Sequence, residues 1–348
     1  MPETFSYPAK PSRGDAVAVL SPSGRSAARF PAPLDLGLKR LREEFGLVPV
    51  EYPTTRAAHA SPAERARDVE AAFADPAIKA ILTTIGGDDE IKILAHLDTA
   101  LLARNPKPFF GYSDNVNLGL LLWNLGLVSY HGGAVMVQFG RPAAMHPLTR
   151  RSLELALFSR EKHRLVPAAE YGDEERRWDD PAAFAAEPAM DKATQWSWHG
   201  PAVSVTGPAW GGSLEIVDFH LRTGRYLRSD ERCDGAVLFL ETSEELPDAG
   251  YVGRVLMCMG ERGLLQRFAA AVWGRPKAWS FERPGTPADK AAYTAAQRDA
   301  VLSAFAEYHP AVPLVFGADF GHTDPQQVVP LGGQVTVDGA GRQIWVTY

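Results

Sequence analysis

Pro108-Phe109-Phe110-Gly111-Tyr112-Ser113-Asp114-Asn115, with the leucine-rich run that follows it, is the stretch on which the fold turns. Residues 108–112 form a short apolar run that reads as a buried strand. Leu118, Leu121, Leu122 and Leu125 then recur at helical spacing and mark an apolar helix face. Ser113 therefore stands at a strand–turn–helix junction, where a side chain is displayed above a sheet and backbone N–H groups converge at a helix start. Gly111 suits the tight turn, but Asn115 takes the place of the second glycine of G-x-S-x-G. The simpler reading of this segment alone is that Ser113 is a helix N-cap.

Working outward, the same alternation recurs. The run 16–20 reads as a strand ending in Ser21-Pro22-Ser23-Gly24, and Leu34, Leu38, Leu41 and Phe45 fall at helical spacing before Gly46. A second strand covers 47–50, and Ser61-Pro62-Ala63-Glu64 is a capping box that starts a helix reaching about residue 75. A strand over 80–85 ends in Gly86-Gly87-Asp88, with a helix over 91–97. Strands alternating with helices at this interval predict an α/β fold with a doubly wound, mainly parallel sheet. Sites in such sheets gather at the carboxyl ends of strands, where both Gly86-Gly87-Asp88 and Ser113 lie.

Periodicity breaks over 163–202, where Asp173-Glu174-Glu175-Arg176-Arg177 and the tryptophans Trp178, Trp196 and Trp198 occur. The expected organisation is an N-terminal α/β domain over 1–162, a connector over 163–202 and a mixed α/β domain over 203–348. In the last, strands are expected at 236–240 and 270–273, helices at 252–259 and 287–308, and a terminal hairpin around Gly339-Ala340-Gly341.

Bulk properties exclude several classes. The 348 residues are 45% hydrophobic and 22% charged, ordinary for a folded protein. A formal charge of -6 with no basic stripe argues against a nucleic-acid polymer as partner. The start, Met1-Pro2-Glu3-Thr4-Phe5, lacks the pattern of a signal peptide, and no run approaches the ~18 apolar residues of a membrane span. Cys233 and Cys258 fit two plain thiols in a cytoplasmic protein.

A serine nucleophile needs a base within hydrogen-bond reach and a group to orient that base. His322, in the loop Phe320-Gly321-His322-Thr323-Asp324-Pro325, is one candidate base; His131, at the end of a strand over 128–130, is another. Either is also readable as an ordinary histidine. Glu241 ends the apolar run Val237-Leu238-Phe239-Leu240, and a carboxylate leaving a buried strand requires a partner, structural or catalytic. His322 and Asp324, two apart in a loop, lack the further clustered ligands of a zinc site, so no metal is expected; no cofactor is expected either.

Taken together these segments resemble the LD-carboxypeptidase family of serine peptidases, most closely its branch of microcin C immunity proteins. Gly-Tyr-Ser-Asp-Asn at 111–115, Leu-Phe-Leu-Glu-Thr-Ser-Glu-Glu at 238–245 and Phe-Gly-His-Thr-Asp-Pro-Gln at 320–326 carry the resemblance. Segments at 84–89, 210–215 and 272–276 extend it in the same order. The resemblance implies a triad of Ser113, His322 and Glu241 between two domains, and an oxyanion hole from the backbone N–H groups of Asp114 and Gly87. It implies amide hydrolysis through an acyl-enzyme and a homodimer. Its substrate would be an aminoacyl or peptidyl nucleotide, as the Glu-Thr-Ser-Glu-Glu wording at 241–245 suggests, or alternatively a murein tetrapeptide. A non-catalytic small-molecule or peptide binder using the same cleft is the alternative of another class. Trp196 resembles the family's aromatic position best, with Trp178 and Trp198 as assistants; all three could equally be packing residues of the connector. Ser213 stands where many relatives carry Asn, and Leu246 where they tend to carry Lys; both neighbourhoods are expected near the acyl group.

Overall fold

Strand Ala16–Leu20 shows why the N-terminal sheet is wound on both faces. Its residues alternate, so Val17 and Val19 pack with Leu34, Leu38, Leu41 and Phe45, while Ala18 and Leu20 pack with Val69, Phe73, Leu94 and Leu118. The first group draws in helix Pro31–Glu43, the second helix Pro62–Ala74. The latter begins with its capping box formed: Ser61 N donates to Glu64, and Glu64 N to the Ser61 hydroxyl. These features belong to a computed structural model that describes residues 5–175, 177–227 and 229–348. Arg176 of the charge cluster and the initial Met1-Pro2-Glu3-Thr4 lie outside the described residues.

One sheet runs through both halves of the chain. From one edge its strands are Val48–Glu51, Ala16–Leu20, Ile78–Thr83, Phe109–Gly111 and Ser129–His131, then Val329–Leu331, Ser204–Ser213, Val237–Glu241, Ala270–Gly274, Leu314–Ala318 and Ser197–His199. Neighbours are parallel except at the seam, where Val329–Leu331 runs antiparallel to Ser129–His131, and at the last edge. The fold class is thus α/β with a mostly parallel sheet. The first half of strand Ser204–Ser213 leaves this sheet to pair with Gln334–Asp338, which forms the terminal hairpin with Gln343–Thr347. Lys162–Leu165 adds to that hairpin.

Two segments differ from their sequence patterns. The stretch after Gly86-Gly87-Asp88 is a 3-10 helix, Glu90–His96, rather than an α-helix. The region 163–202 is not merely irregular: Ser197–His199 and Lys162–Leu165 join sheets, and Glu170–Tyr171 pairs with Asp191–Lys192. Such two- to four-residue strands are fixed by remote partners and carry no periodicity of their own. Among the described residues, no helix is long and apolar enough to cross a membrane.

Candidate active site

Ser113 follows strand Phe109–Gly111 at its carboxyl end, opens the 3-10 turn Ser113–Asn115 and precedes helix Val116–Asn124. Its φ is +60°, a left-handed conformation that costs a non-glycine residue energy and is found at functional turns. Neither the turn nor the helix has a side-chain cap, so Ser113 is not spent as an N-cap. Asn115, the departure from the glycine motif, has a task of its own. Its Nδ2 donates to Ile85 O and Tyr112 O at 3.0 Å each, and its Oδ1 accepts from Ser23 at 2.9 Å. The serine turn is thereby clipped to the glycine turn. Gly86 allows the contact, because a Cβ there would lie 2.7 Å from Ser113 Cβ and 2.8 Å from its Oγ.

Behind the serine, the Asp114 carboxylate turns inward to accept Glu90 N and Asn117 Nδ2, both at 2.9 Å. Asn117 in turn meets His220 Nε2 at 2.9 Å. Burial pushes Asp114 up to about 6 and, with Asp114 as neighbour, holds Glu90 well above the usual carboxylate range. Burial takes His220 down to about 4, a neutral ring. This layer fixes the first turn and with it the Asp114 N–H.

His322 lies in the loop after strand Leu314–Ala318, and its Nδ1 is 2.6 Å from Glu241 Oε2. Glu241, the last residue of strand Val237–Glu241, is fully buried. Burial opposes its charge, but His322 and the Ser213 hydroxyl hold the carboxyl below its ordinary range. His322 is correspondingly affected: burial would lower it, yet Glu241, Glu244 and Glu215 raise it to about 9. Two glycines make room for the pair. A Cβ on Gly274 would meet Glu241 Cβ at 2.6 Å, and one on Gly321 would meet Glu241 Oε2 at 2.5 Å.

Ser113, His322, Gly86, Gly87 and Tyr112 share the wall of a cavity of about 730 Å³. The structure therefore brings Ser113, His322 and Glu241 to one place, with Glu241 behind the histidine. Gly87 lines the same cavity. His131, the other candidate base, is buried 3.7 Å from Oε1, the Glu241 oxygen that His322 leaves free, and lies outside the cavity lining. Burial lowers it to about 4.

The four expected substrate-binding residues separate. Trp178 lines the cavity, edge-on to Phe30 with ring centres 5.7 Å apart. Trp196 is buried outside the lining, its indole donating to Asp319 at 2.8 Å, because that carboxylate anchors the segment from within. Trp198 sits on the edge strand opposite Val315 and packs on the core, also outside the lining. Ser213 is buried and donates its hydroxyl to Glu241 Oε1, which turns it away from the cavity. Leu246 is buried as well and does not line the cavity. The sequence reading passed over Phe30, Arg141, Lys277 and Glu244, all in the wall. Arg141 pairs with Asp324 at 2.6 Å and Glu187 at 2.5 Å; Lys277 pairs with Glu175 at 2.9 Å. Of these four, Glu244 alone lies in a segment that carries the family resemblance, 238–245. Among the described residues no cluster of His, Cys, Asp and Glu is arranged to hold a metal ion.

Comparison with known proteins bears on the family and the fold. The LD-carboxypeptidase N-terminal domain matches residues 17–132, and the LD-carboxypeptidase C-terminal domain matches 206–337. A putative carboxypeptidase of Vibrio cholerae is 26% identical over 93% of this chain and 92% of its own length. A probable murein peptide carboxypeptidase of Bacillus subtilis is 34% identical over 44% of this chain and 49% of its own. The Microcin C7 self-immunity protein MccF of Escherichia coli is 24% identical over 82% of this chain and 78% of its own. A structure of MccF in complex with aspartyl sulfamoyl adenosine superposes with a TM-score of 0.83 at 21% identity, covering 98% of each chain, which speaks to the fold alone. With both family domains matched in order across well over half of its length, the chain belongs to the LD-carboxypeptidase family and is a hydrolase.

Proposed function

We propose that the chain hydrolyses an amide bond through an acyl-enzyme, with Ser113 as nucleophile, His322 as general base and Glu241 as the group that orients the base. The observation that carries this reading is the buried 2.6 Å pair of His322 and Glu241 beside a cavity that also exposes the positive-φ Ser113. Nδ1 held by a carboxylate leaves Nε2 to take the seryl proton and return it to the leaving amine, while Glu241 stabilises the charged ring. The N–H groups of Asp114 and Gly87 would receive the oxyanion, each such donor contributing about 3 kcal/mol in the transition state.

The substrate class this reading favours is an aminoacyl or peptidyl nucleotide amide, as an immunity-type hydrolase would take. A cavity of about 730 Å³ suits a ligand of that size, and the Trp178–Phe30 pair offers aromatic faces on which a base would gain about 1–3 kcal/mol. Its acyl group need not be aspartyl, since Ser213 is bound to Glu241 and Leu246 is buried apolar bulk. The second reading, a murein tetrapeptide carboxypeptidase, draws on Arg141 and Lys277 in the wall, two cations that a peptide carboxylate would reach by replacing Glu187 or Glu175 as their partners. In either case the enzyme is expected to work in the cytoplasm, in keeping with two plain thiols, and as a homodimer, as the family resemblance suggests.

The test is hydrolysis of aspartyl sulfamoyl adenosine and of a murein tetrapeptide by wild type and by Ser113→Ala. Loss of turnover on the order of 10⁴–10⁶-fold in the variant is expected on whichever compound is cleaved. An alanine variant as active as the wild type refutes the assignment, and tight binding of both compounds without cleavage would favour a binding module.

A further inference from the structure

Two carboxylates face the two nitrogens of the same ring. Glu241 Oε2 is 2.6 Å from His322 Nδ1, and Glu244 Oε2 is 3.1 Å from Nε2. Nε2 is the nitrogen that has to receive the seryl proton. It is buried and makes no hydrogen bond, so Glu244 touches it as an ion-pair partner rather than along the N–H direction. The two acids differ in freedom. Glu241 is walled in by Gly274 and Gly321 and bound by Ser213, whereas Glu244 is 49% exposed, follows the strand end and lines the cavity. Among the described residues, no ion pair joins Glu244 to a lysine or arginine that would draw it elsewhere.

We propose that Glu244 is a positioning residue of the triad: its carboxylate occupies the Nε2 side of His322, holds the ring as imidazolium, and has to swing away before Nε2 can accept the proton of Ser113. This rests on the triad reading above. As Glu244 departs, the Nε2 proton passes to solvent and leaves a neutral base. The groups facing His322 are Glu241 from the strand end, Glu215 from the first turn of helix Leu214–Thr223, Glu244 and Glu245 from the strand-end loop, and the rings of Tyr112 and neutral His131. Carboxylates dominate this set, in line with the upward shift of the ring to about 9. Removing one negative charge lowers the proton affinity of the ring, so its midpoint moves to lower pH. Because the base acts only when deprotonated, the acid limb of the rate profile moves the same way.

The experiment is an NMR titration of the His322 ring in ¹⁵N-histidine-labelled full-length protein, assigned with His322→Gln, for wild type, Glu244→Gln and Glu245→Gln. Glu244→Gln is isosteric at a half-exposed position, and a thermal melt checks that it folds. The expected result is a midpoint lower by at least about half a pH unit in Glu244→Gln and a smaller shift in Glu245→Gln. A midpoint unchanged in Glu244→Gln, raised, or shifted no more than in Glu245→Gln overturns the proposal. No substrate enters this measurement, so its failure is separable from that of the hydrolysis test with Ser113→Ala.

Discussion

Glycine 321 bears directly on the orientation of His322. Its φ of +92° already disfavours any side chain, and an added Cβ would lie 2.5 Å from Glu241 Oε2 and 2.7 Å from its Cδ. Gly317, with φ +87° and nothing within 4 Å of an added Cβ, supplies the control in which only backbone strain is introduced. Both alanine variants are expected to lose about 1–3 kcal/mol of stability in denaturant titrations. Only Gly321→Ala is expected to lose activity as well, on the order of 10²–10⁴-fold in kcat/KM, because a displaced carboxylate no longer fixes the ring. Equal activity of the two variants would show that the Glu241 contact is dispensable. At this scale the strand ends alone leave Ser113, Glu241 and His322 readable as ordinary residues, and only the motifs that resemble the family group them; the structure sets His322 against Glu241 and beside the cavity that Ser113 lines. The roles of Ser213, Gly274 and Glu244 were not legible, since each depends on a contact with a segment far away in the chain.

The loop that carries His322 is held as an element by the residue that starts it. Asp319 is fully buried; its carboxylate accepts Arg275 at 2.9 and 3.1 Å, Trp196 Nε1 at 2.8 Å and Ala168 N at 2.8 Å. It therefore ties the loop to two places in the 163–202 region and to the Val272-Trp273-Gly274-Arg275 strand end. Further along, Asp324 exchanges backbone hydrogen bonds with Gly172 at 2.7 and 2.8 Å. Asp319→Ala would leave the buried Arg275 guanidinium uncompensated, and the expected loss is about 3–5 kcal/mol of unfolding free energy. A loss under about 1 kcal/mol in urea titration would mean that the carboxylate network does not hold the loop. The element-scale reading from sequence was good where periodicity is long, as in helices Pro31–Glu43 and Pro62–Ala74. The short strands of 163–202 carry no such signal, and of the two roles open to Trp196 the structure shows packing, with its indole anchored on Asp319.

At the scale of the whole molecule, the two family domains meet as neighbours in a single sheet. Ser129, Tyr130 and His131 pair with Leu331, Pro330 and Val329 across the seam, and Trp123 Nε1 donates to Ala209 O at 3.1 Å. Tyr348, at the far end of the chain, donates to Val328 O at 2.8 Å and meets the Ser152 hydroxyl at 3.2 Å. One hydrophobic core extends from Val17 through Trp123 and Leu153 to Leu240, Val315 and Tyr348. Sequence patterns could mark the strands of each half but not this seam, because strand neighbours are chosen by non-local pairing. The consequence is cooperative. Opening either half would strip backbone partners from the central strands and expose the shared core, costs that no partly folded state recovers. The 348-residue chain is larger than the domains that usually unfold in two states. It is nevertheless expected to give one calorimetric transition with van't Hoff and calorimetric enthalpies in agreement. Two resolved transitions, or a van't Hoff enthalpy well below the calorimetric one, would show that the halves unfold independently and that the seam adds little to their stability.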